Sequence, residues 1–135
     1  MSRNSKSEMV YHIVWSTKNR LPFIDQNNFK IIEDSVFQIA IENHCYLYAC
    51  DGWNEHVHVV IRVLPEIQPS SLIGQLKGKS AFLVNKILEP IPKFKWQNGY
   101  YIRTVGYGEL KSVIRYVKNQ RNHHGNGDTG ESGMG

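Results

Sequence analysis

The sequence predicts an α+β fold of the ferredoxin-like, RRM-like kind: an antiparallel sheet in the order β-α-β-β-α-β, helices on one face, and one further helix at the C-terminal end. Three observations carry this. Segments 9–17, 45–53, 56–64 and 99–105 are rich in β-branched and aromatic residues. Segments 26–44 and 70–87 instead repeat their apolar residues at intervals of three and four. In HVHVVIRVL (56–64), alternation puts Val57, Val59, Ile61 and Val63 on one wholly apolar face, which helices must cover. In this plan the first and third strands lie side by side at the sheet centre.

Each element has its own local signal. MVYHIVWST (9–17) reads as the first strand, followed by a basic turn from Lys18 to Pro22. Phe29, Ile32, Val36, Ile39 and Ala40 form the stripe of the first helix, 26–44, which Phe37 and Ile41 widen. CYLYACDGW (45–53) is the second strand and runs into a turn. Pro65 and Pro69 bracket a loop, and Ser70 or Ser71 is placed to cap a helix reaching Ile87, with Leu72, Ile73, Leu76, Phe82 and Leu83 on its apolar side. Pro90 and Pro92 then disfavour regular structure. GYYIRTV (99–105) is the fourth strand, and 108–122 the last helix. Residues 1–124 form one domain, and the polar, glycine-rich tail 125–135 is expected to be disordered.

Composition narrows the class. A chain of 135 residues with 41% hydrophobic content can build one core. No apolar run reaches the roughly 18 residues of a membrane span, and no secretory segment precedes the first strand, so a cytoplasmic protein is the expectation. The two cysteines, Cys45 and Cys50, are five apart in one strand, which predicts side chains on opposite faces and no bridge. A net charge of +4 permits an anionic partner without demonstrating one.

The histidines are more informative. Strand alternation puts His56 and His58 on one face with Val60 and Arg62, about 6–7 Å apart along the strand. Imidazoles so spaced can converge on one metal ion, although HxH also occurs on half-exposed strands and in cupins and zinc hydrolases. In the last helix, Leu110, Val113, Ile114 and Val117 define the apolar stripe. Tyr116 and Gln120, four apart, stack together at its edge, where a side chain can face a site or solvent.

Taken together, WNEHVHVVI, LKGKSA and VIRYVKNQRNHH resemble the single-tyrosine HUH endonucleases, the TnpA-type transposases of insertion sequences that move as single-stranded DNA, with their REP-associated relatives. The opening YHIVWSTKNRLPFI is similar to that family's first strand and basic turn. The resemblance spans roughly residues 8–124 and implies roles. His56, His58 and Gln120 would ligate a divalent metal, magnesium or manganese, and Tyr116 would be the nucleophile. It also implies a 5′-phosphotyrosine, a free 3′-hydroxyl, a single-stranded DNA partner with hairpin ends, action at the prokaryotic nucleoid, and a homodimer whose sites are shared between subunits. A non-catalytic hairpin-binding descendant and a metal hydrolase using water are the alternatives.

The chemistry suits these residues. A Lewis acid stabilises charge on the non-bridging oxygens of a phosphodiester. Imidazole favours softer ions than magnesium, which leaves the metal open. A phenol is a poor nucleophile until deprotonated, and its phosphate ester retains the bond energy needed for rejoining. Lys18, Arg20, Lys77, Lys79 and Arg103 are the candidate DNA contacts, with Lys93 and Lys95 interleaved among Phe94, Trp96, Tyr100 and Tyr101. His12 is either a neighbour of the site or a packed structural histidine. His123 and His124 read as tail residues.

Overall fold

The computed structural model describes residues 8–120. Its elements are β1 (Met9–Ser16), α1 (Gln26–Glu42), β2 (Tyr46–Gly52), β3 (His56–Val63), α2 (Pro69–Leu88), β4 (Tyr101–Thr104) and α3 (Leu110–Lys118), with 3₁₀ turns at Lys18–Arg20 and Tyr107–Glu109. The sheet order is β2-β3-β1-β4, every pair antiparallel, so β1 and β3 are central as the βαββαβ plan requires. The expected last helix, 108–122, is seen as α3 from Leu110 to Lys118, and residues 121–135, including His123, His124 and the expected tail, lie outside the described residues.

The sheet has two covered faces. Val57, Val59, Ile61 and Val63 pack with Ile13 and Trp15 of β1 against α1 and α2, forming the main core with Ile32, Val36, Leu72 and Leu76. The other face carries a smaller cluster, in which Ala49 and Val60 meet Val105 and the α3 residues Val113 and Val117. Helix α3 therefore lies on the sheet face that presents His56 and His58, opposite α1 and α2.

Several local expectations are corrected. α1 stops at Glu42 because Asn43 leaves helical geometry and His44 takes a positive φ of 58°. Its start is set by Asp25 and Asn28, whose side chains each accept the other's backbone N–H. Neither Ser70 nor Ser71 caps α2. Pro69 occupies the first turn, Gln68 is the cap residue without a side-chain bond, and both serines fall inside the helix. Phe37 and Ile41 do not join the core, being 56% and 51% exposed, and Phe82 is likewise 58% exposed.

The cysteines do not leave opposite faces. The β2–β3 register shifts between Leu47 and Ala49, so Tyr48 and Ala49 both turn toward α3. Alternation resumes out of phase, and Cys45, Leu47 and Cys50 all pack against the main core. Both thiols are free, as expected. Between α2 and β4, Phe94 is buried and its backbone N–H and C=O both bond the Asn85 side chain, at 2.8 and 3.0 Å.

Candidate active site

The site grows from the β2–β3 hairpin. Gly52 lies so close to the next strand that a Cβ there would sit 2.4 Å from the His56 carbonyl oxygen. The Trp53 N–H donates to that same carbonyl at 3.0 Å. A tight hairpin thus delivers His56 at the first position of β3, opposite Ser16, and His58 opposite Val14.

Both imidazoles are buried, at 1% and 0% exposure, and their ring centroids lie 4.9 Å apart. Gln120, itself 0% exposed, brings Oε1 to 3.3 Å from His56 Nε2. Its Nε2 donates to the Tyr116 carbonyl at 3.3 Å, which aims the oxygen at the histidine. The Tyr116 ring stands edge-on to His58 with centroids 5.8 Å apart. The four residues singled out in the sequence therefore gather at one place, where α3 crosses the start of β3.

Around them lies a second ring of groups. Glu55 Oε1 approaches His56 Nδ1 at 3.6 Å and Arg20 Nε at 3.3 Å. His12, 2% exposed on β1, places Nε2 2.9 Å from His58 Nδ1. Burial, and after it the Arg103 guanidinium, pull the His12 pKa down to about 4, so the ring is neutral near pH 7. His12 also lines a cavity of about 270 Å³ with Arg103, Glu109, Ser112 and Tyr116.

Among the described residues, no three His, Cys, Asp or Glu side chains group to hold a metal ion. Two imidazoles and an amide oxygen stand together instead, and as donors they would suit a divalent ion. Ligands about 2.1 Å from one ion stand about 3.0–3.4 Å apart, and the His56–Gln120 separation of 3.3 Å falls in that range.

Residues 5–120 match the family model described as IS200-like transposase. The chain belongs to the IS200-like transposase family. The IS200 transposases of Salmonella typhimurium strain LT2 and Salmonella typhi are each 27% identical over 116 residues, covering 82% of this chain and 75% of theirs. A Deinococcus radiodurans R1 protein described as a transposase superposes with a TM-score of 0.70 at 23% identity, over 89% of this chain and 96% of that one. A REP-associated tyrosine transposase, solved bound to a REP hairpin, superposes with a TM-score of 0.68 at 12% identity, over 93% and 75%. At those identities the two structures bear on the fold, which is the one they share with this chain.

The basic residues of this IS200-like chain fall into two groups. Lys77 Nζ donates to the carbonyls of Gln97 and Gly99, each at 2.8 Å, and so ties the segment before β4 to α2. Arg20 pairs with Glu55, and Arg103 with Glu109 at 3.2 Å. Lys18 and Lys79 are exposed. Sequence reasoning missed Gly52 and Glu55; of its two readings of His12, the neighbour of the site is the one seen, with the ring against His58. Only the strand register, which pairs His12 with Val60 and Val14 with His58, brings those two rings together.

Proposed function

We propose that this transposase cuts and rejoins single-stranded DNA through Tyr116, with His56, His58 and Gln120 holding one divalent cation. The observation that carries the reading is the convergence of His56, Gln120, His58 and Tyr116, at 3.3 Å for the first pair and 5.8 Å between the rings of the last. A magnesium or manganese ion bound there would supply Lewis-acid stabilisation of the non-bridging oxygens. The phenolic oxygen of Tyr116 then bonds to phosphorus while the bond to the 3′ oxygen breaks. The phenolic proton leaves to solvent, and the departing 3′ oxygen takes one up. A 5′-phosphotyrosine and a free 3′-hydroxyl remain, and the reverse attack rejoins a strand without an external energy source.

The expected DNA is a hairpin with a single-stranded flank. This follows from the family resemblance and from the hairpin held by the REP-associated relative. Lys18 and Lys79 are the exposed cations offered to phosphate, with Arg20 and Arg103 beside the site. A homodimer is part of the proposal, acting on DNA in the prokaryotic cytoplasm. Within a single chain α3 lies over its own histidines, which supports a site assembled within one subunit.

The test is adduct formation. Incubated with manganese and a single-stranded hairpin oligonucleotide from the element's end, the protein should yield a covalent species that survives denaturant. Tyr116→Phe should form none while retaining DNA affinity. Adduct at undiminished yield in Tyr116→Phe would overturn the assignment. Cleavage without adduct would point to water as the nucleophile, and binding without cleavage to a hairpin-binding module.

A further inference from the structure

His12 belongs neither to the proposed ligands nor to the nucleophile, yet its ring is fixed from several sides. It pairs with Val60 of β3 and with Arg103 of β4, so it lies on a central strand. The edges of Tyr101 and Tyr116 flank it, with centroids at 6.4 and 6.5 Å. It stacks on His58 at 5.1 Å with 27° between planes, and the two rings share a nitrogen–nitrogen contact of 2.9 Å.

That contact holds one proton, because one nitrogen must donate and the other accept. If His12 donates from Nε2, His58 Nδ1 accepts, and a neutral His58 then carries its hydrogen on Nε2, where no cation can bind. If His58 donates from Nδ1, its Nε2 keeps a lone pair for a metal. The far nitrogen of His12, Nδ1, has no hydrogen-bond partner among the described residues. A His12 that accepts at Nε2 carries its own hydrogen on Nδ1, and no donor among the described residues holds that atom in the opposite tautomer. A buried ligand histidine commonly holds its orientation through such a bond from its second nitrogen.

We propose that His12 is the positioning residue of the metal site: it accepts the Nδ1–H of His58, fixes the plane of that ring, and leaves His58 Nε2 to the cation. The inference rests on the metal site proposed above. Its consequence is that His58 ligates in a single orientation, with the acceptor supplied by an imidazole where a carboxylate or backbone carbonyl would otherwise serve.

Two measurements test it. In ¹⁵N spectra of the histidine rings with saturating magnesium, His58 should carry hydrogen on Nδ1 and His12 should present an unprotonated Nε2. A His58 unprotonated at Nδ1 would overturn the proposal. By calorimetry, manganese should bind His12→Leu about 10–100-fold more weakly than the wild type. His12→Gln, whose amide oxygen can accept the same proton, should recover most of that loss. Equal manganese affinity in His12→Leu and wild type would refute the role, and the wild-type spectra decide the matter if the leucine variant does not fold. A wild-type protein that binds manganese with the expected His58 tautomer but forms no DNA adduct would sink the nuclease reading and leave this inference standing.

Discussion

At the scale of single residues, neighbours hold the side chains in place: the Tyr116 carbonyl accepts from Gln120 at 3.3 Å, and the His12 ring meets His58 at 2.9 Å. His56 and His58 are visible in the sequence because a strand of period two puts them on one face. Tyr116 and Gln120 are visible because a helix puts positions four apart together. His12 lies 46 positions before His58, and no local period links them. The cysteines show the reverse case. Alternation alone separated them, and one extra residue near Tyr48 reunited them on the core side. Burial raises both thiols above their usual range, Cys50 the more strongly, with Glu33 and Asp51 adding to the shift. The thiolate is the reactive form. Alkylation by iodoacetamide at pH 8 should therefore be slow at both positions in the folded protein and slowest at Cys50. Mass mapping that found Cys50 the faster site would contradict its placement.

At the scale of elements, the strands were legible to within a residue or two and the helix faces less so. The apolar face of β3 fixed where α1 and α2 must sit, and both do. Phe37, Ile41 and Phe82 carry apolar side chains at plausible helical positions, yet the sheet is only four strands wide and its core is filled without them. Phe37 instead lines an open groove beside the edge strand β2. Helix ends were missed where the stop is conformational, as at His44 with its positive φ. The hairpin joining β2 to β3 matters most for function, because its tightness sets His56. Gly52→Ala would press a methyl group onto the His56 carbonyl, and the strands must part to admit it. A stability loss of about 1–3 kcal/mol is expected in urea unfolding, together with weaker manganese binding. An alanine variant with wild-type stability and metal affinity would show that the approach is not restrictive.

At the scale of the whole molecule, the fold supplies a sheet with two differently used sides. One side is a conventional core under α1 and α2. The other brings His56 and His58 under α3, with Tyr116 on that helix and Gln120 just beyond it, and Val60, Val113 and Val117 anchor the helix. The family resemblance implied sites shared between two subunits, whereas this chain's own Tyr116 stands beside its own His58. Mixing His58→Ala with Tyr116→Phe distinguishes the two arrangements. If each subunit is self-sufficient, the mixture should form no adduct. Recovery of adduct would mean that the subunits exchange α3. The sequence could not settle this, because a helix joined to β4 by a few residues looks the same whichever sheet it covers.

The position of α3 after all four strands also has a meaning for synthesis. A ribosome that has released residues up to Thr104 has already provided all four strands with His56 and His58, but neither Tyr116 nor Gln120. On the proposed function, cutting competence arrives only once α3 has emerged, after all four strands. A message broken or shifted in frame anywhere before Tyr116 would then encode a fragment without the proposed nucleophile, unable to join itself to DNA.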